Sequence, residues 1–231
     1  MRKQRGFTLI EIAIVLVIIG LLLGGVLKGQ ELITAARVRN LISQQDGFKA
    51  AYFGFLDRFR ALPGDYDRAQ QNIAGISNAS PCGASPGNGN GNGRIETAQD
   101  SSTEYILVWE HLSKAGFING SFTCATPEGT GTTPNNPYAV RLQLEWDANY
   151  ADPGTPTARH NLKTGPQIPS DILAEVDRKI DDGNAQGGTF RFSNYAAQTS
   201  APDPAACYNQ STPFQWQSAT VAANCGGTTL F

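Results

Sequence analysis

The N-terminal sequence reads Arg5-Gly6-Phe7-Thr8-Leu9-Ile10-Glu11 and continues directly into an apolar run, Ile12 to Leu27. Glu11 is the only charged residue between Phe7 and Leu27, a segment long enough to cross a bilayer as a helix. A charge at the centre of a membrane-spanning helix costs about 2.5–3.5 kcal/mol, so an isolated carboxylate in such a segment needs a partner. The stretch therefore predicts a membrane helix in which Glu11 has a specific role.

Three basic residues precede this helix, Arg2, Lys3 and Arg5. By the positive-inside rule they place the N-terminus in the cytoplasm and the rest of the chain on the other side of the membrane. The apolar run is longer than the roughly 7–15 residues of an ordinary signal peptide, and no A-x-A cleavage site follows it. A plain membrane anchor would not need Glu11.

The basic leader, Gly6 before Phe7, the Thr-Leu-Ile run, Glu11 and the long apolar helix together resemble the class III signal of type IV prepilins and type II secretion pseudopilins. The resemblance implies that a membrane prepilin peptidase cleaves after Gly6 and methylates the new N-terminus at Phe7. It also implies that Glu11 pairs with the Phe7 ammonium of a neighbouring subunit during filament assembly.

Helical periodicity continues beyond the membrane segment, since apolar residues recur every three or four positions from Leu32 to Phe59. A single helix from Phe7 to about Phe59 is predicted, and it should end at Leu62-Pro63, where proline cannot continue it. We therefore expect a cleaved leader (1–6), a long helix (7–60, with 7–27 transmembrane and 28–60 amphipathic) and a globular head (61–231).

The head shows patterns of both helix and strand. Ser101 and Glu104 have the spacing of a capping box before a helix, and 170–180 has helical periodicity. Strict alternation over 140–146 predicts a strand, and a further strand is expected over 189–192. The predicted fold class is α+β: a long N-terminal helix and a head with a small antiparallel sheet and short helices, as in pilins.

The chain is poor in charge: 16% of its residues are charged, and its net charge is −2. Nucleic-acid binding, which needs clustered Lys and Arg, is not expected. Gly83-Ala84-Ser85-Pro86-Gly87 has the spacing of a hydrolase nucleophile elbow, but Pro86 lacks the N–H that would stabilise an oxyanion. His111 and His160 form no recognisable catalytic set and are expected at the surface or in caps, so the sequence predicts no enzyme activity.

Four cysteines, at 82, 124, 207 and 225, follow the membrane segment. They have no zinc-site spacing, and the predicted topology puts them in an oxidising compartment where disulfides persist. Three connectivities are possible, and we prefer the sequential one, Cys82–Cys124 with Cys207–Cys225. The C-terminal pair also resembles the disulfide-bounded loop that type IV pilins use for surface and subunit contacts.

Two segments are weak candidates for calcium, and no other cofactor is expected. Asn88, Asn90 and Asn92 have the spacing of an EF-hand-type loop, but that loop needs carboxylates, so a tight turn is the main alternative. Asp177, Asp181 and Asp182 lie together near a predicted helix end, where an ordinary turn is again the alternative.

The expected function is that of a structural subunit of a type IV pilus or pilus-like filament. The alternatives are a type II secretion pseudopilin, a DNA-uptake pilin and a membrane-anchored periplasmic enzyme. Expected partners are other pilins or pseudopilins, a prepilin peptidase and an inner-membrane assembly platform. Before assembly the protein should be a single-pass inner-membrane protein with a periplasmic head, and afterwards part of a periplasmic or cell-surface filament.

Overall fold

The computed structural model describes residues 8–76, 82, 86–96, 103–125, 128–129 and 131–231. The chain divides into two compact units, Met1–Arg37 and Val38–Phe231. In chain order the elements are α1 (Leu9–Phe59), α2 (Ala69–Asn72), α3 (Glu104–Lys114), β1 (Gln143–Asp147), β2 (Arg159–Lys163), α4 (Ser170–Ile180), β3 (Phe190–Phe192), α5 (Pro204–Cys207) and β4 (Gly227–Leu230).

The long N-terminal helix is confirmed as α1, which has 51 residues. It ends at Phe59 because Arg60 takes a left-handed backbone conformation, with φ of 55°, and donates its N–H to Leu56 O at 2.9 Å. Pro63 then prevents the helix from resuming. The predicted end of the helix is thus correct.

The four strands form one antiparallel sheet in the order β1-β2-β4-β3. The C-terminal strand β4 lies between β2 and β3. Its Thr229 pairs with Leu162 of β2 on one side and with Phe190 of β3 on the other. The expected α+β fold with a small antiparallel sheet is therefore confirmed.

The described residues of the second unit form three apolar cores, and the C-terminal part of α1 contributes to two of them. Val38 and Leu41 lie in a core with residues of α4, β3 and the C-terminal disulfide. Tyr52 and Phe55 lie in another core, formed with residues of α3, β1 and β2. The amphipathic pattern of α1 from Val38 onward thus follows from burial of one face in the head.

Most predicted elements of the head have the expected type, but the bounds of some differ from the predicted ones. Helix α4 spans Ser170–Ile180 as predicted, whereas β1 begins only at Gln143. Residues 140–142 alternate like a strand but pair with another segment: Leu142 N donates to Pro134 O at 3.1 Å. Helix α3 begins at Glu104 after Thr103, and the predicted cap Ser101 lies outside the described residues.

Candidate functional site

The beginning of α1 contains a reciprocal set of hydrogen bonds between Thr8 and Glu11. The Glu11 carboxylate accepts from Thr8 N at 2.7 Å and from Thr8 Oγ1 at 2.8 Å. In return, Glu11 N donates to Thr8 Oγ1 at 3.3 Å. This is a capping box, which satisfies N–H groups that a helix start leaves without an intrahelical partner. Gly6 and Phe7, the predicted processing residues, lie outside the described residues.

The helix that follows presents an apolar surface in all directions. Every large apolar side chain from Leu9 to Ile33 is exposed, from 46% at Ile19 to 92% at Leu9. This part of α1 is long and apolar enough to cross a membrane. The four glycines of this part, Gly20, Gly24, Gly25 and Gly29, also face open space, since a methyl group built on any of them would meet no atom within 4 Å. They are spaced as two G-x-x-x-G pairs, which allow close helix packing in lipid.

The first calcium candidate folds as a tight turn whose asparagine oxygens bind backbone N–H groups. Asn88 Oδ1 accepts from Gln70 N at 2.9 Å, Asn90 Oδ1 from Asn92 N at 2.9 Å and Asn92 Oδ1 from Arg94 N at 2.8 Å. The bonds of Asn90 and Asn92, each to the backbone N–H two residues on, are those of Asx turns, which stabilise loops without an ion, whereas Asn88 binds the distant Gln70. Calcium at this weak candidate stays untested.

Two carboxylates from other parts of the chain hold this loop in place, Asp65 in the turn after α1 and Glu104 at the start of α3. Asp65 accepts from Asn92 N at 3.0 Å and from Gly93 N at 2.8 Å. The buried Glu104, the first residue of α3, accepts from Asn90 N at 2.9 Å and from Glu96 N at 3.2 Å. Burial raises the pKa of Glu104 to about 7, although these backbone bonds oppose the shift. Glu104 was predicted only as a capping-box residue, and this tertiary role has no signal in the local sequence.

The second calcium candidate brings Asp177, Asp181 and Asp182 together, with carboxylate oxygens within 4.8 Å of one another. Each carboxylate also accepts hydrogen bonds from the protein. Asp177 accepts from Trp216 Nε1 at 2.7 Å, Asp181 from Phe190 N at 2.7 Å and Asp182 from Asn184 N at 2.8 Å. Burial raises the pKa of Asp177 to about 7. These bonds give the three carboxylates a structural role at the end of α4, and calcium at this weak candidate also stays untested.

The expectation that the histidines lie at the surface or in caps is wrong for His111, whereas His160 is half-buried. His111 is completely buried, accepting from Gly64 N at 2.9 Å through Nδ1 and lying 3.1 Å from Gly87 O through Nε2. His160 is packed against Trp146 and accepts from Ile95 N at 3.3 Å. Burial lowers the pKa of each to about 4, so both are neutral at pH 7; His111 serves as a hydrogen-bonding core residue.

Lys163 forms a buried ionic cluster on the sheet that the sequence analysis did not anticipate. Only 1% of its side chain is exposed, and its Nζ lies 2.9 Å from Gln143 Oε1 and 3.1 Å from Glu145 Oε2 and also contacts the Asp147 carboxylate. The alternation over 140–146 indicated a polar face, but only the pairing of β1 with β2 brings a lysine to it.

The structure contains both disulfides in the sequential pairing preferred above. Cys82–Cys124 has a sequence separation of 42 and Cys207–Cys225 a separation of 18. The second bond closes a segment that contributes Tyr208 and Trp216 to an apolar core. This segment is therefore part of the folded head.

Residues 1–27 match the family model of the prokaryotic N-terminal methylation motif. No curated protein and no solved structure matches the chain. The motif match supports a type IV pilin-like prepilin with a class III signal. Together with the long apolar helix, it indicates a membrane-anchored precursor of the pilin and pseudopilin type.

Proposed function

We propose that this protein is a structural subunit of a type IV pilus or pilus-like filament. A prepilin peptidase cleaves it after Gly6 and methylates Phe7, and the mature protein polymerises through its N-terminal helix. The observation that carries the proposal is the combination of the methylation motif over residues 1–27 with the exposed apolar side chains of α1 from Leu9 to Ile33.

The apolar surface of α1 needs to be covered both before and after assembly. Complete burial of one large aliphatic side chain contributes about 1.5–3 kcal/mol, so the exposed set in α1 strongly disfavours water. In the precursor, lipid covers these side chains. In the filament, the same helices of neighbouring subunits cover them, and the open Gly20/Gly24 and Gly25/Gly29 faces allow close approach.

Processing is tested first, because every later step depends on it. The full-length chain is expressed in a bacterial inner membrane with and without a prepilin peptidase, and its intact mass is measured. With the peptidase we expect a protein that begins at Phe7 and has one methyl group on its N-terminus. Retention of Met1–Gly6 in the presence of an active peptidase would contradict the proposed function.

A type II secretion pseudopilin is the alternative, since the N-terminal motif supports both kinds of subunit equally. The two are separated by supplying the chain to each machine in a strain that lacks its own subunit. A pilus subunit enters fibres that shear from the cell surface, whereas a pseudopilin restores cargo secretion. A chain processed normally but active in neither assay would point to another anchored protein, and an enzymatic head would then be tested by substrate turnover.

A further inference from the structure

Residues 88–93 consist of three successive Asn-Gly pairs, Asn88-Gly89, Asn90-Gly91 and Asn92-Gly93. Asn-Gly is chemically labile because glycine has no side chain to shield its backbone nitrogen. That nitrogen attacks Cγ of the preceding asparagine, a C–N bond forms, and the side-chain amide leaves as ammonia together with the nitrogen's proton. Water then opens the resulting succinimide to aspartate or isoaspartate, with no change in oxidation state.

All three attacking nitrogens are engaged in this structure. Gly89 N donates to Tyr66 O at 2.9 Å, and Gly91 N donates to Asp65 O at 2.9 Å. Gly93 N donates to the Asp65 carboxylate at 2.8 Å. Each nitrogen must give up its hydrogen bond and reorient before it can reach Cγ. The electrophilic side chains are restrained as well, since the Oδ1 atoms of Asn88, Asn90 and Asn92 each accept from a backbone N–H.

The same packing explains why a labile sequence occupies this loop. A Cβ on Gly89 would overlap the backbone of Asp65, and Gly91 and Gly93 have φ of 73° and 82°, a conformation that favours glycine. The side chains of Asn90 and Asn92 form Asx turns that span Gly91 and Gly93. The geometry that requires Asn-Gly pairs is thus also the geometry that restrains their reaction.

We propose that residues 88–93 are a latent deamidation site that the folded head keeps unreacted, and that the Asp65 carboxylate specifically protects Asn92. Each asparagine is protected separately. The glycine nitrogens after Asn88 and Asn90 donate to main-chain oxygens, whereas the one after Asn92 donates to a side chain. Deamidation would add a carboxylate close to Asp65 and Glu104, whose carboxyl groups already accept hydrogen bonds from this loop. For a filament subunit that persists outside the cytoplasm, this protection preserves the head without repair.

The first test compares native and denaturant-unfolded full-length protein in detergent, incubated at mildly alkaline pH and analysed by peptide mapping with mass spectrometry. Because a hydrogen bond must break before attack, we expect deamidation at each of the three asparagines to be about tenfold or more slower in the native protein. Equal rates at these positions in native and unfolded protein would overturn the proposal.

The second test uses the variant Asp65→Ala, with Asp67→Ala as the matched control. Asp67 lies against the same loop, close to Gly91, but accepts from none of the three glycine nitrogens, which are all within the described residues. We expect Asp65→Ala to accelerate deamidation at Asn92 about tenfold, to leave Asn88 and Asn90 nearly unchanged, and Asp67→Ala to change none of them.

Two results would overturn the role of Asp65. An unchanged or slower reaction at Asn92 in Asp65→Ala would show that the carboxylate does not protect this position, and a slower one would mean that it acts as a base. A uniform acceleration at all three asparagines would show that Asp65 holds the loop as a whole and not Gly93 N in particular.

Discussion

Thr8 and Glu11 exchange hydrogen bonds in both directions across the first turn of α1, at 2.7, 2.8 and 3.3 Å. Glu11 therefore has a role within one subunit in addition to the charge pairing expected between subunits. The carboxylate would then cap a helix and also neutralise a neighbour's N-terminus. Substitutions can distinguish these two functions, because only the second requires the charge.

Glu11→Gln and Glu11→Ala should both sharply reduce filament assembly while leaving membrane insertion and cleavage after Gly6 intact. Glutamine keeps an oxygen that accepts from Thr8 N but loses the charge, and an unpaired buried ammonium in the neighbour is heavily penalised. The measurement is the yield of sheared filaments, with membrane fractionation as the insertion control.

Thr8→Ala is the matched control for this pair. It removes the hydroxyl of the capping box, at a cost of about 1 kcal/mol, and leaves the carboxylate in place. We expect Thr8→Ala to assemble. Normal assembly of Glu11→Gln would show that capping, and not charge, is what Glu11 contributes.

Lys163→Met should destabilise the head by about 3–5 kcal/mol, because it leaves Glu145 and Asp147 as buried charges without their cation. Lys179→Met is the control: Lys179 lies at the same 3.1 Å from Glu175 as Lys163 does from Glu145, but its side chain is 49% exposed rather than 1%. An exposed pair contributes about 0–1 kcal/mol.

Denaturant unfolding of the two full-length variants in detergent, followed by tryptophan fluorescence, measures this difference in stability. Equal losses for Lys163→Met and Lys179→Met would show that burial of the Lys163 cluster has no energetic consequence.

His111 should make the stability of the head fall as the pH is lowered. Burial lowers its pKa from 6.5 to about 4, so the unfolded chain takes up a proton in this window before the folded chain does. The free energy of unfolding does not depend on this group above about pH 6.5. It decreases as the pH falls from about 6.5 to about 4, by about 3 kcal/mol in total.

The comparison with His111→Gln isolates this contribution. Glutamine can still accept from Gly64 N and donate to Gly87 O but does not titrate, while His160, Glu104 and Asp177 titrate alike in both proteins. We expect the stability advantage of the wild type over His111→Gln to shrink as the pH is lowered from about 7 to 4. An advantage independent of pH would mean that His111 binds a proton equally in both states.

Loss of either disulfide should destabilise the head, and loss of Cys82–Cys124, which closes the longer loop, should do so slightly more. In the chain-entropy model, separations of 42 and 18 correspond to about 4 and about 3 kcal/mol. The double variants Cys82→Ser/Cys124→Ser and Cys207→Ser/Cys225→Ser are compared by denaturant unfolding, and non-reducing peptide mapping of exported protein checks the pairing. Free thiols in the exported wild type would contradict the prediction.

The sequence by itself determined the features that depend on local order along the chain. The apolar run, Glu11 and Pro63 predict α1 and its end, and the periodicity of 170–180 predicts α4, because helices form from contacts three and four residues apart. The N-terminal motif is likewise local, which is why residues 1–27 alone indicate the class of protein.

Only the tertiary structure decided what residues distant in sequence do together. Lys163 meets Glu145 because β1 pairs with β2. Asp65 and Glu104 converge on Asn90, Asn92 and Gly93 because this loop packs against both the turn after α1 and the start of α3. The position of the buried His111 was mispredicted for the same reason. Burial depends on which segments pack around a side chain, and one sequence contains no periodic pattern that reports such long-range contacts.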